Sequence, residues 1–409
     1  MPTLVISDLH LGSSSRSDLL RVPALREPLL ELAAGAERVV LLGDLLELRH
    51  GPPREALAAA RSFIEELGHA LGDSELVVVA GNHDHLMIEP WLALRSERED
   101  PGPLALEQLI EPRDASPIVQ RLAEWAAPAR TLAAYPGLWL RKDVYATHGH
   151  YLDCHLTVPT LERLGVAAMS RLLARPASGF AAVEDYESVT APVYAWRAAV
   201  SRDLPAGGLL EGQTTLRAWQ ALGGAGGHRR RDGARAARGG GSLAATLRRR
   251  ALVGAFPLAV AAPNRAGLGP LRAEISAAEL RRAGLRAMGE AATRLGLTRG
   301  HVIFGHTHRS GPLAGDERSE WRAGQGDGGG GGVQLVNCGC WTYDSLFLTG
   351  KPGESPYWPG VCVVVEDTGP PRLQRLLADR SHAELDPRGQ ASGSENAGKP
   401  SQLPARPSA

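Results

Sequence analysis

Short apolar runs recur along the first 155 residues of the chain and again after residue 299. They are rich in β-branched residues and mostly unbroken, which is typical of strands that are covered on both faces. The segments predicted as strands are 3–7, 38–42, 75–80, 143–147, 301–305, 333–337 and 361–366. Between the early runs, apolar residues follow one side of a helix over residues 56–71. Strands that alternate with helices predict an α/β sheet.

The middle of the chain, residues 156–298, carries helical patterns and lacks such strand runs. Within it, residues 223–242 are rich in glycine and arginine and predict a mobile loop, because this composition cannot bury a core. Residues 379–409 are polar and rich in proline, glycine and serine, which predicts a disordered tail. We therefore predict an α/β core in two halves, 1–155 and 299–378, separated by a mostly helical insertion.

Polar side chains follow five of the predicted strands directly. In open α/β sheets, ligands gather at the carboxyl ends of the strands, so turns that are far apart in sequence are expected to converge. The side chains concerned are those of Asp8, His10, Asp44, Glu47, Asn82, His83, Asp84, His148, His150, His306 and His308. Carboxylate, imidazole and carboxamide together suit borderline divalent metals, and their number exceeds one tetrahedral site. The pattern thus favours a centre with two metal ions.

The motifs "SDLH", "GD", "GNHD", "HGH" and "GHTH", in this order, resemble those of the calcineurin-like metallophosphoesterase superfamily. The resemblance covers both core halves and implies a layered α/β/β/α sandwich. Two motifs, "SDLHLG" and "GDLLE", are similar to those of the bacterial UDP-2,3-diacylglucosamine pyrophosphatases, which commonly carry arginine at the position of His83. The resemblance assigns one metal to Asp8, His10 and His308, the other metal to Asn82, His148 and His306, and a bridging position to Asp44.

The same resemblance implies a reaction. Two ions ~3.5–4 Å apart can share an acidified hydroxide and clamp the attacking and leaving oxygens of an in-line displacement at phosphorus. His83 would contact the phosphate as an acid or charge stabiliser, and Asp84 would hold the His83 ring. For His150, contact with the phosphate and a purely structural role both stay open. Mn²⁺ is the expected metal, with Fe, Zn and Co as alternatives.

Net charge, cysteine content and local composition limit the classes of binding partner that are expected for the chain. The chain of 409 residues has 45 basic and 45 acidic side chains, so no global field attracts nucleic acid or an anionic membrane. The four cysteines include no CxxC pair, and the chain begins without a basic leader, which favours reduced thiols and a cytoplasmic location. Residues 229–262 combine an arginine cluster with an apolar run, which fits a solvated linker, capture of a phosphate-rich substrate, or peripheral contact with the inner membrane surface.

Three functions follow from these patterns. The first is a two-metal hydrolase of phosphoester or pyrophosphate bonds in a phosphorylated small molecule, a nucleotide-like molecule or a lipid-linked substrate. The second is a nuclease, which the zero net charge and the 5% content of aromatic residues argue against. The third is a scaffold that has kept the fold without catalysis, although no motif of the set is absent from this sequence.

Overall fold

The computed structural model describes residues 2–203, 277–324, 332–345 and 353–386, together with the isolated positions 264, 269, 271 and 348. The strands are β1 (Thr3–Ile6), β2 (Arg38–Leu42), β3 (Glu75–Val79), β4 (Glu107–Ile110), β5 (Arg130–Arg141), β6 (Val144–Thr147), β7 (His301–Phe304), β8 (Ser310–Gly311), β9 (Arg322–Ala323), β10 (Val333–Cys338), β11 (Val361–Val365) and β12 (Arg372–Arg375). All seven predicted strands are confirmed, to within one residue at each end.

The helices of the described residues are α1 (Pro23–Ala33), α2 (Pro53–Leu71), α3 (Glu89–Ser96), α4 (Pro112–Ala115), α5 (Pro117–Trp125), α6 (Leu161–Leu172), α7 (Val183–Asp203), α8 (Ala277–Arg294) and α9 (His382–Leu385). Short 3-10 turns lie at Leu19–Arg21, His85–Met87, His150–Cys154, Ala177–Gly179 and Arg318–Trp321. None of the described helices is long and apolar enough to cross a membrane.

The strands form one hydrogen-bonded sheet in the order β12-β11-β1-β2-β3-β5-β6-β7-β10-β8. β5 joins its two halves, because its first residues pair parallel with β3 and its later residues pair antiparallel with β6. β1, β2 and β3 are parallel to one another, as are β6, β7 and β10. The second sheet expected from the late strands is therefore a continuation of the first.

Alternating residues on the strands divide the core into three layers. Leu4 and Leu41 face α1, α2 and α5 on one outer side, whereas Phe304 and Leu335 face α8 on the other. The residues between, such as Val5, pack with side chains of β2, β3, β6, β7, β10 and β11. One sheet folded on itself thus gives the expected α/β/β/α sandwich, and both halves direct the carboxyl ends of their parallel strands to the same region.

The structure changes the predicted boundaries of two segments, the insertion and the C-terminal tail. Helix α8 was included in the insertion of 156–298, but its Met288 packs with Val302 and Phe304 of β7, so α8 covers the second half of the core. Helix α9 lies beyond residue 379, and its buried Leu385 belongs to the main core cluster; the start of a disordered tail at 379 is therefore wrong. The other predicted domain boundaries remain predictions.

Segments 223–242 and 229–262 lie outside the described residues, as does most of the predicted tail. All four cysteines are free and buried, in agreement with the expectation of reduced thiols.

The remaining insertion helices dock on the core through a buried acid. Glu187 of α7 accepts a hydrogen bond of 2.6 Å from the hydroxyl of Tyr135 and another from the hydroxyl of Tyr151. Its second oxygen lies 3.4 Å from Nε2 of His85. Because a buried carboxylate is tolerated only with such partners, these contacts specify where α7 lies against β5 and the 3-10 turns.

We expect Phe63→Ala to lower the free energy of unfolding by about 3–5 kcal/mol, because the ring is fully buried between α2 and the sheet. Urea unfolding followed by circular dichroism measures this change. Leu109→Ala is the matched control, since Leu109 is 57% exposed. Equal unfolding midpoints for the two variants would contradict this packing.

Candidate metal centre

The candidate ligands lie in five loops that begin where β1, β2, β3, β6 and β7 end. The loops are tied together by backbone groups: the amide of His10 donates to the carbonyl of Asp44 at 2.8 Å, and the amide of Gly305 donates to that of His148 at 3.0 Å. The amide of His306 donates to the carboxylate of Asp8 at 3.0 Å. The carboxyl ends of the two sheet halves therefore meet at one site, as the strand pattern predicted.

The backbone at this site adopts a conformation that side chains rarely tolerate. Among the described residues, seven non-glycine residues have a clearly positive φ, and five of them are candidate ligands. These are Asp8 (57°), His10 (45°), Asp44 (52°), His306 (63°) and His308 (56°). Each such residue costs about 1–3 kcal/mol, and such strain concentrates at functional sites. The loops are thus held in this form by the surrounding structure.

One ligand group consists of Asp8, His10 and His308. Nε2 of His308 lies 3.2 Å from Oδ1 of Asp8 and 3.1 Å from Nε2 of His10. Nε2 of His10 also lies 3.6 Å from Oδ2 of Asp44. The ligand atoms of Asp8, His10 and His308 all lie within 4.8 Å of one another, which is the spacing of ligands around one ion.

The other group consists of Asp44, Asn82, His148 and His306. Nε2 of His148 lies 3.3 Å from Oδ2 of Asp44 and 3.2 Å from Oδ1 of Asn82. Nδ1 of His306 lies 3.0 Å from the same oxygen of Asn82. Oδ2 of Asp44 therefore lies between the two groups, in the position that the resemblance assigns to a bridging ligand.

The atoms that meet here are almost all hydrogen-bond acceptors. Oδ1 of Asn82 faces only acceptors, and Oδ1 of Asp8 faces Nε2 of His308 at 3.2 Å and Nε2 of His10 at 4.0 Å. Nδ1 of His148 lies 3.0 Å from the carbonyl of Leu42, so the ring proton belongs on Nδ1 and the lone pair of Nε2 points inward. Divalent cations placed among these atoms would satisfy them together, so the donor set fits metal binding.

Protonation of histidine rings is the alternative to metal ions for satisfying these acceptor atoms. Burial alone would lower the pKa of His148, but Asp44 raises it to about 9, so a proton on Nε2 could serve Asp44. Burial likewise opposes ionisation of Asp44, yet His148 and His83 keep the pKa of this carboxyl well below its usual range. Burial also opposes protonation of His308, but the nearby Asp8 raises the pKa of this ring well above its usual value, so protons on His148 and His308, or metal ions, would serve the two groups.

The rings of His10, His306 and His308 each make a further contact through their other nitrogen, to a carboxylate or to a hydroxyl. Nδ1 of His10 lies 3.2 Å from Glu47, and Nε2 of His306 lies 3.1 Å from Asp153. Nδ1 of His308 lies 3.4 Å from the hydroxyl of Thr342. Such contacts orient a ligand ring and raise its basicity. Glu47 therefore contacts the outer side of a candidate ligand ring.

His83 is held on both ring nitrogens. Nδ1 lies 2.8 Å from Glu47 and Nε2 lies 3.0 Å from the guanidinium of Arg49. Burial lowers the pKa of His83 to about 3, because the raising effect of Glu47 does not offset it, so the ring is neutral in this arrangement. About 16% of the His83 side chain remains exposed, so it stays open to a substrate.

The interpretation of Asp84 as the residue that holds the His83 ring is wrong, because Glu47 makes that contact. Asp84 instead accepts hydrogen bonds from the amides of Leu45 and Gly81, both at 2.7 Å, and more distantly from those of Asp44 and Leu46. Burial and the nearby Asp44 raise the pKa of Asp84 to about 7. Its carboxylate therefore joins the two loops that carry Asp44 and Asn82.

The phosphate contact proposed for His150 is not supported. The residue is only 1% exposed, its ring nitrogens have no hydrogen-bond partner within the described structure, and aromatic rings such as Tyr151 and Tyr194 surround it. Burial and the neighbouring His148 lower its pKa well below the usual value. His150 is thus a packed neighbour of the centre, which leaves the structural role.

Glycine is required where loops approach one another most closely. A Cβ atom on Gly81 would lie 2.3 Å from Oδ1 of Asp44, and one on Gly305 would lie 2.3 Å from Oδ2 of Asp8. No side chain fits at such distances, so these glycines let the ligand loops come together. Asn337 supports the same arrangement, since its amide donates to the carbonyl of Gly305 at 2.9 Å.

Sequence reasoning missed Asp153, Arg49 and Thr342. Asp153 follows the "HGH" motif by three residues, so its nearness to a ligand loop was the available signal. Thr342 and Arg49 lie in loops whose course depends on the tertiary structure, and no spacing indicated their contacts.

Comparison with known proteins gives one match. A family model described as calcineurin-like phosphoesterase matches residues 1–187, which include five of the seven predicted metal ligands and end before His306 and His308. No curated protein matches the chain.

We expect Asp153→Asn to weaken binding of Mn²⁺ by about 10–100-fold, because His306 loses the carboxylate that orients its ring. Isothermal titration calorimetry on the metal-free protein measures the affinity. Asp73→Asn, which changes an exposed carboxylate, is the matched control. An unchanged affinity in Asp153→Asn would show that His306 does not depend on this contact.

Proposed function

From the match of residues 1–187 to the calcineurin-like phosphoesterase family model, we propose that the chain uses two divalent metal ions, Mn²⁺ above all, to hydrolyse phosphoester or pyrophosphate bonds. The family implies metal-dependent hydrolysis of a phosphoester, and the His and Asp groups of the site could hold metals. One observation carries the finer proposal: Oδ2 of Asp44 lies within 3.6 Å of Nε2 of His10 and 3.3 Å of Nε2 of His148, one from each ligand group.

Divalent ions at such a site make a water acidic and stabilise the negative charge that develops at phosphorus. In this proposal Asp8, His10 and His308 hold one ion, Asn82, His148 and His306 hold the other, and Asp44 binds both. Glu47 and Asp153 orient the rings of His10 and His306.

The side from which substrate arrives follows from exposure. The His308 side chain is 35% exposed and that of His83 is 16% exposed, whereas those of Asp8 and His148 are fully buried. A phosphoester therefore approaches past His308 and His83. His83 is the proposed contact to the phosphate, and since its ring is neutral in this arrangement, its proposed role is to stabilise charge at the phosphate rather than to donate a proton.

The finer identity of the substrate stays a proposal. A phosphorylated small molecule, a nucleotide-like molecule or a lipid-linked substrate all fit a two-metal site, and similarity to the pyrophosphatase branch remains a prediction. So do a cytoplasmic location and peripheral membrane contact through residues 229–262. Nuclease activity has no supporting observation among the described residues. The activity measurements below decide whether the chain is an enzyme or a non-catalytic scaffold.

We expect hydrolysis of bis-p-nitrophenyl phosphate to disappear on treatment with a chelator and to return with added Mn²⁺. Asp44→Asn should reduce activity to background, because the variant lacks the carboxylate next to both ligand groups. Release of p-nitrophenol is measured by absorbance, with Asp73→Asn as the control. Full turnover by Asp44→Asn would contradict the shared-carboxylate site, and inactivity of the parent protein on a wide panel of phosphoesters would support the scaffold.

We expect His83→Ala to retain its metal and to lose about 10²–10³ in kcat, the usual range for removal of one group that stabilises charge in the transition state. Metal content by mass spectrometry and kcat on the same ester give the two readouts. His69→Ala is the control, since His69 is an exposed histidine of α2. A kcat equal to that of the parent would remove His83 from the reaction.

A further inference from the structure

A buried arginine lies beside the candidate centre and belongs to none of the family motifs. Arg49 is 3% exposed and follows the loop that carries Asp44 and Glu47. Its Nη1 lies 3.0 Å from Nε2 of His83 and 2.8 Å from the outward end of the Asn82 amide. The guanidinium therefore lies directly behind a proposed metal ligand and the proposed phosphate contact.

The charge of Arg49 is weakly compensated. A guanidinium stays protonated at any ordinary pH. Burying it costs free energy unless a carboxylate pairs with it or another acceptor takes its hydrogen bonds. Its one ion pair among the described residues is with Glu162, at 3.4 Å, and its Nε has no hydrogen-bond partner there. Arg49 can therefore take a further anionic partner.

Glu162 does not belong to Arg49 alone. The same oxygen, Oε1, lies 3.0 Å from Nη1 of Arg197, so two guanidiniums share one carboxylate oxygen. Burial would raise the pKa of Glu162, but Arg49 and Arg197 lower it to about 2, so the carboxylate is ionised. Glu162 and Arg197 lie on α6 and α7, which means that the insertion positions Arg49 relative to the centre.

Arg49 also faces a small cavity between the core and the insertion. Arg49, Asn82 and His83 line it from the core, and Tyr194 lines it from α7. Its volume of about 10 Å³ is the lower limit for a single oxygen atom, so only the outermost oxygen of an anionic arm can enter it. One acid, Glu89, lines the same cavity and makes no ion pair with Arg49 within the described residues. An oxyanion oxygen that enters this cavity reaches Arg49 next to the metal ligands.

We propose that Arg49 forms an oxyanion subsite that binds a second acidic group of the substrate, a carboxylate or a phosphate, beyond the phosphoryl group that reacts. The subsite selects esters with an anionic arm over esters with a neutral arm. Glu162 partly neutralises Arg49, and its carboxylate competes with that arm for the guanidinium. This inference rests on the proposed function, because the reacting phosphoryl group is taken to bind at the metal centre.

Two non-hydrolysable ligands separate the subsite from the centre. Methylphosphonate and phosphonoacetate share the phosphonate group, and only phosphonoacetate adds a carboxylate arm. Calorimetry on the Mn²⁺-loaded full chain gives both dissociation constants. We expect phosphonoacetate to bind the parent protein about tenfold to a hundredfold more tightly than methylphosphonate, the range for a hydrogen bond to a charged group. Equal affinities would overturn the subsite and leave the centre intact.

The variants test which residue causes the preference. Arg49→Gln should lose the preference for phosphonoacetate, measured as the ratio of its two dissociation constants, and metal content is measured alongside because Arg49 contacts His83 and Asn82. Glu162→Gln should increase the preference, because the competing negative charge is removed; it also decides the matter if Arg49→Gln does not fold. Arg113→Gln is the control, since 79% of the Arg113 side chain is exposed.

Three results would contradict the subsite: a preference that survives in Arg49→Gln, a preference in Glu162→Gln that falls to that of Arg49→Gln, or the same change in Arg113→Gln. Failure of both phosphonates to bind the parent protein would overturn the proposed function together with the subsite. Equal binding of both ligands, by contrast, leaves the proposed function standing.

Discussion

Acceptor atoms crowd together where the two halves of the folded sheet meet, and much of the local structure serves to hold them there. Oxygens of Asp8, Asp44 and Asn82 and ring nitrogens of four histidines lie within a few ångströms of one another. Packed acceptors without donors repel, so this arrangement is unfavourable unless positive charge lies among them. The fold therefore creates a site that favours protonated histidines or metal ions.

The surrounding structure offsets that repulsion in identifiable ways. Five ligands accept a left-handed backbone, Gly81 and Gly305 remove side chains that would collide with carboxylates, and Asp84 joins two ligand loops through their amides. The free energy for this comes from the continuous core on both faces of the sheet, where strands such as β2 and β3 are buried on each side. Stability and site geometry are thus connected through the same strands.

Helices α6 and α7 of the insertion add contacts next to the candidate metal centre. Glu187 attaches α7 to the core through Tyr135 and Tyr151, while Glu162 reaches the guanidinium of Arg49 beside His83. The core loops alone position the ligands, whereas the surroundings of Arg49 depend on α6 and α7. This division suggests that chemistry is determined by the core and that the choice of substrate depends on the insertion.

Much of the fold could be predicted from the sequence, because a buried parallel strand is an unbroken apolar run and the ligands follow such runs directly. β5 was missed because Pro136 and Gly137 interrupt its pattern, although this strand joins both sheet halves. The helix α9 was missed because only its Leu385 is buried.

The ligand loops were placed correctly by motif and topology, whereas the outer contacts were not. Whether a carboxylate such as Asp84 turns to a ring or to amides, and whether His150 faces solvent or aromatic rings, depends on side-chain packing that no spacing in the sequence encodes.

The central claim is that two ions bind on either side of Asp44. Anomalous diffraction at the manganese absorption edge, from crystals grown with Mn²⁺, tests it most directly. The account predicts two peaks per chain, one next to Asp8, His10 and His308 and one next to Asn82, His148 and His306, with Asp44 touching both. A single peak, or peaks away from these residues, would contradict it.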